Sequence, residues 1–254
     1  MNKENKRSER KTVLIFCLFI ICGGAVGFVL GFFSERINYD VIAAAVKSNM
    51  SVIAKALLAV FALETVVFSV LSLIKYRQAK KAASLAEDDE ELYEDAGNRI
   101  SSAILISNLA TVFAFVLIGA VGWIIVFSDI DTTLKKVMLF SSFPIFLFEL
   151  LWALFIQRAA VNLSKRINPE KRGSIFDFRF DKKWEESCDE GELGAMYEAG
   201  YRAFMFTTKL CYLLYFITVV SMFVFHTGVF PVICVGVVHF ALMVSNYHAI
   251  KKHR

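Results

Sequence analysis

Glu64 and Glu149 each stand near the middle of a long apolar run. An ionised carboxylate at the centre of a bilayer costs several kcal/mol, so each must face a protein interior, meet a partner or hold a proton. Candidate partners at similar depth are His239 and Asn108. Lys55 and Lys209 are less informative, because their long stems can carry the ammonium to an interface. A carboxylate beside a histidine can exchange protons with it, which is the chemical basis of proton or cation coupling. The competing reading is that both glutamates are protonated or paired and pin helices together through interhelical hydrogen bonds.

Other chemistry is sparsely represented. There is no H-E-x-x-H, no G-x-S-x-G, no phosphate-binding G-x-x-x-x-G-K-[ST] loop and no dinucleotide fingerprint. Of the five cysteines, Cys17, Cys22, Cys211 and Cys234 lie in apolar runs, where Cys packs as a small hydrophobe, and Cys188 has no base near it in sequence. No C-x-x-C pair occurs, so neither a disulfide framework nor a zinc site is expected. The sequence reads as that of a nonenzymatic protein without metal or cofactor.

The elements that must carry these residues follow from composition. Hydrophobic residues make up 57% of the 254, with 25 Phe against 3 Pro, an excess that calls for a nonaqueous solvent. The net charge of +4 is spread beside apolar runs rather than along one stripe interleaved with aromatic residues, so anionic lipid rather than nucleic acid is the expected partner. Six runs have the length of a bilayer-spanning helix: about Val13 to Phe33, Val52 to Ile74, Ile100 to Phe127, Val137 to Ile156, Ala203 to Phe225 and Val229 to Tyr247. The first follows a basic stretch but lacks a small-x-small cleavage site, as an uncleaved signal anchor does.

Lys and Arg number five before the first run, five in the linker at 75–99, nine in the linker at 157–202 and three at the carboxyl end. The opposite side has few, which places both termini and both linkers in the cytoplasm. Between the first two runs, Tyr39 to Val46 is expected to form an apolar helix at the interface. Gly23, Gly27 and Gly31 give the first run a smooth face that packs inside the bundle or against a second copy, and Gly119 with Gly122 repeats the theme weakly.

The linkers resemble each other at an offset of 103: Ser84, Glu87, Asp95, Ala96, Gly97 and Arg99 fall on Ser187, Glu190, Glu198, Ala199, Gly200 and Arg202. Each copy starts with S-x-x-E, the pattern of a capping box, and leads into the next span as a helix. At an offset of 85, Phe61, Glu64, Lys80 and Lys81 fall on Phe146, Glu149, Lys165 and Arg166. The expected fold is therefore all-α: one polytopic transmembrane bundle of six spans arranged as three hairpins, with cytoplasmic helical linkers. The second linker has about 18 extra residues within 167–184. There Pro169 and Gly173 break the helix, and Phe176, Phe178 and Phe180 alternate with charge at the period of a strand. That aromatic face must rest on the bilayer, the acidic linker helices or a protein partner.

The stretch Asn168-Pro169-Glu170-Lys171-Arg172-Gly173-Ser174-Ile175-Phe176-Asp177, with Lys182-Lys183-Trp184-Glu185-Glu186-Ser187-Cys188-Asp189-Glu190, resembles the multi-pass membrane proteins of Gram-positive bacteria grouped as domain of unknown function 3169. The likeness covers the whole chain in length and hydrophobic layout. It implies a bacterial cell membrane and six spans and carries over no catalytic residue. Two functions are weighed from here: a scaffold or regulatory protein that meets a membrane or cytoplasmic partner through its linkers, around Asn168, Pro169, Arg172, Gly173, the three phenylalanines and Trp184, and a small proton- or cation-coupled transporter or transport accessory using Glu64 and Glu149.

Overall fold

The computed structural model describes residues 39–85, 90–225 and 227–252, and the regular elements among them are all helices. They are α1 (Tyr39–Ser48), α2 (Met50–Leu85), α3 (Glu90–Phe127), α4 (Thr132–Ile167), α5 (Phe180–Glu185), α6 (Glu190–Phe225) and α7 (Phe230–Lys252). Five of them, α2, α3, α4, α6 and α7, are long and apolar enough to cross a bilayer. The run from Val13 to Phe33, with Gly23, Gly27 and Gly31, lies outside the described residues.

Asp40–Leu193 forms one compact unit, and Gly194–Arg254 belongs to another. In the first, α2 packs along both α3 and α4, and α3 packs along α4. The seams are made of small side chains. On α3 the buried residues are Ala96, Ile100, Ala103, Ser107, Ala110, Ala114, Val121 and Ile124, alternating by three and four or skipping a full seven. That is the spacing of a left-handed helical coil, and small residues on it let backbones approach closely where no water drives association. The facing stripe of α2 carries Ala54, Phe61, Thr65, Ser69, Ser72, Ala79 and Ala82. Bulky side chains such as Leu63, Val66, Phe140 and Leu151 point outward, the arrangement expected where the solvent is hydrocarbon.

Among the described residues, a methyl group at Gly119 or Gly122 would meet no atom within 4 Å, and the close approach of α3 to its neighbours is made by the alanine and serine seam. α4 starts on Asp131, whose carboxylate accepts from the amides of Thr133 (2.8 Å) and Leu134 (3.3 Å). Nearby, Lys47 at the end of α1 pairs with Asp129 at 2.8 Å.

Both linkers run into their spans without a break, α3 from Glu90 and α6 from Glu190. In each the acidic residue of the repeat pairs with its arginine one turn on, Asp95 with Arg99 and Glu198 with Arg202. Neither Ser84 nor Ser187 stands at the first residue before a helix, where the S-x-x-E pattern would put it. Ser84 sits in the last turn of α2 and donates to the carbonyl of Lys81, while Glu87 lies outside the described residues. At the second linker the box is built two residues later: Asp189 Oδ1 accepts from the Glu192 amide (2.7 Å) and Glu192 Oε2 from the Asp189 amide (3.1 Å).

Candidate functional site

The three-helix core of the first unit contains a polar seam. Glu149 of α4 is fully buried, and neither carboxylate oxygen has a hydrogen-bond partner among the described residues. It lies close enough to Glu64 of α2 for their charges to interact. Thr65 stands beside both, its hydroxyl 3.5 Å from Glu64 Oε2. Two carboxylates near one another at this depth disfavour each other's charge.

From the pair the seam continues along α2 toward the linker end. Thr65, Ser69 and Ser72 are buried at successive turns. The Ser72 hydroxyl donates to the carbonyl of Ser69 (3.0 Å) and accepts from the indole N–H of Trp152 on α4 (3.1 Å). Ser107 of α3 is buried as well, and the hydroxyls of Ser69 and Ser107 have no partner among the described residues. Buried polar atoms left open in an otherwise apolar core are the places where water or a proton is accommodated.

The other two residues expected with the glutamates have different company. Asn108 accepts from the side-chain amide of Gln157 at 2.9 Å, a partner just beyond the apolar run of α4. His239 belongs to the second unit, on α7, where Tyr212 stands edge-on to it at 5.1 Å and Tyr215 at 5.8 Å between ring centres. Its Nε2 is buried without a hydrogen-bond partner among the described residues.

The aromatic insertion is not a strand. Residues 171–174 have no regular structure, 175–179 form turns and a bend, and Phe180 opens the short helix α5. The reason is local hydrogen bonding that competes with extended backbone: the Asp177 amide donates to Ser174 O (2.8 Å), Phe180 N to Asp177 O (2.9 Å), and Asp177 Oδ1 accepts from the Arg179 amide (2.9 Å). Asp177 also pairs with Lys183, and that hydrogen bond holds its carboxyl below the usual carboxylate range. Gly173 has φ +109°, and a β-carbon there would come within 2.9 Å of the Phe180 ring.

Around these turns the insertion is fastened to the helices on either side. Asn168 ends α4 and its side chain accepts from the Glu170 amide across Pro169 (3.1 Å). Lys165 donates to Gly173 O, and Arg172 N to Ser187 Oγ (3.1 Å). Lys171 is buried, pairs with Glu192, lies 3.1 Å from Cys188 Sγ and sits 5.5 Å from the centre of the Trp184 ring. Burial disfavours its charge, but Glu192 and Cys188 outweigh that and its pKa stands above the ordinary lysine value. Thus Cys188, without a base in sequence, has a lysine beside it in space. Phe180 packs on Trp184, with ring centres 5.5 Å apart. Phe176 lies under the guanidinium of Arg158 at 5.5 Å, and Phe178 is fully exposed, at 108% of its reference area. The three phenylalanines therefore do not share one face.

No curated protein and no solved structure matches the chain. Residues 6–249 match the family described as a protein of unknown function, DUF3169. With five membrane-length helices and a family match over nearly its whole length, the chain is a multi-pass membrane protein of the DUF3169 family.

Proposed function

We propose that this is a nonenzymatic six-span protein of the bacterial cell membrane, with both termini and both linkers cytoplasmic, in which Glu64 and Glu149 take up a proton or a small cation. The observation that carries the reading is Glu149 itself: a completely buried carboxylate near a second one, whose oxygens make no hydrogen bond of good geometry among the described residues and have only the Thr65 hydroxyl close by. A helix pin would use its oxygens, since the gain from burying a polar group lies in the bond it makes. The open hydroxyls of Ser69 and Ser107 support a polar route toward the linker end of the same core.

The test is flux through proteoliposomes carrying an imposed pH, sodium or potassium gradient. Wild-type protein is expected to dissipate at least one gradient, and the Glu64→Gln/Glu149→Gln variant to lose that flux by about ten-fold or more while melting normally in detergent. Wild-type vesicles as tight as empty ones under all three gradients would remove the idea.

A second reading is favoured by Phe178. A phenylalanine held fully exposed on a loop tied down at Lys165, Lys171 and Arg172 is the arrangement of a contact surface for a cytoplasmic or membrane protein partner. Under this reading the protein is a scaffold or regulatory subunit.

A further inference from the structure

Between the linker ends of α2 and α4 is a cleft of about 390 Å³, within the range of small-ligand sites. Lys80, Arg158 and Arg166 line it, with the Tyr76 hydroxyl and the Asn162 amide. The spacing explains the convergence. Arg158, Asn162 and Arg166 repeat every fourth residue down one stripe of α4, and Tyr76 and Lys80 do the same on α2. A second hollow of about 440 Å³ shares Lys80, Leu163 and Arg166 and extends to Tyr93. Among the described residues no Asp or Glu lines either space. None of the three cations takes part in an ion pair among the described residues. Three positive charges lining one cleft repel one another, and an anion between them reverses the sign of that interaction.

The level of the cleft is informative. The apolar runs end at Ile74 on α2 and Ile156 on α4. Tyr76 and Arg158 are each two residues beyond, about 3 Å along a helix, and Arg166 is about 15 Å beyond. This stretch overlaps the headgroup layer, which adds roughly 5–8 Å to each side of the hydrocarbon. Phe155, in the last turn of the apolar run, and Leu163 supply an apolar wall beside the cations. The Phe176 ring lies 5.5 Å from the guanidinium of Arg158 on the insertion side.

We propose that this cleft binds a phosphate-bearing anion, with the phosphate oxygens held by Lys80, Arg158 and Arg166 and oriented by Tyr76 and Asn162. Guanidinium groups offer two parallel donors to such a group and an ammonium adds a point charge, a complement suited to phosphate. The phosphate can belong to an anionic lipid headgroup or to a soluble compound, and the experiment separates these sources.

Full-length protein in neutral detergent is mixed with phosphatidylglycerol, phosphatidylcholine or inorganic phosphate, and retained ligand and melting temperature are recorded. Phosphatidylglycerol is expected to be retained about ten-fold better than phosphatidylcholine, and the Lys80→Gln/Arg158→Gln/Arg166→Gln variant to lose that preference. Lys135→Gln/Lys136→Gln, which removes charge at the opposite end of the unit, should keep it. Retention of the lipid unaffected by inorganic phosphate assigns the site to a headgroup. A rise in melting temperature with inorganic phosphate, absent in the triple variant, assigns it to a soluble anion. If the triple variant does not fold, Arg158→Gln alone, at an exposed side chain, should cost about three-fold. Equal retention by wild type and cleft variants, or an equal loss on removing Lys135 and Lys136, overturns the proposal.

Discussion

Gly173 is the residue on which the insertion turns. Its backbone occupies a region that costs other residues about 1–2 kcal/mol, and the Phe180 ring fills the space a side chain would need. Gly173→Ala is therefore expected to loosen residues 168–180 by that amount. It should speed tryptic cleavage at Lys171, Arg172 and Arg179 by about ten-fold while leaving the spans intact, as followed by mass spectrometry of the fragments. An unchanged cleavage rate would mean the insertion does not depend on this turn. From sequence, Gly173 was legible only as a helix breaker, because the ring that packs on it is seven residues away and becomes its neighbour through a chain reversal. Asn108 shows the same limit. Its partner, Gln157, stands just past the apolar run, where a search confined to membrane depth does not look.

Among the elements, the apolar lengths of α2, α3, α4, α6 and α7 were legible because the bilayer fixes them. The seam of α3 was equally available in the spacing of Ala96, Ala103, Ser107, Ala110 and Ala114, but a hydropathy scan scores small and large apolar residues together. The insertion was misread for the opposite reason. Alternating Phe and charge is a strand signal only when the backbone is free to extend, and Asp177 commits it to a turn through its own amide and side chain. The split of the phenylalanines has a consequence for the contact-surface reading. Phe178→Ser should abolish capture of a cytoplasmic or membrane partner in a crosslinking pull-down. Phe180→Ser, which removes packing on Trp184, should loosen the insertion as well. Capture that survives Phe178→Ser would count against a partner at this loop.

For the whole molecule the orientation is the quantity to measure. The excess of Lys and Arg at the linkers predicts that Cys188 reacts with a membrane-impermeant maleimide only after the cells are opened. A cysteine replacing Asp129, in a Cys188→Ser background, should react in intact cells, since Asp129 is exposed between α3 and α4 at the opposite end. The reverse pattern would turn the protein over and move the insertion outside.

The unbroken passage from linker to span has a mechanical meaning. α3 has 38 residues and α2, α4 and α6 have 36 each, so each is roughly 54–57 Å long against a hydrocarbon layer of about 30 Å. Each is a stiff lever with its fulcrum inside the bilayer. Gain or loss of a proton at Glu64 and Glu149 that tilted α2 against α4 by about 10° would displace their projecting ends by about 5 Å, given ~30 Å between that depth and the tip. Arg158 and Arg166 ride on one of those arms and Lys80 on the other, so under that tilt the gap between the cations would report charge at the membrane centre.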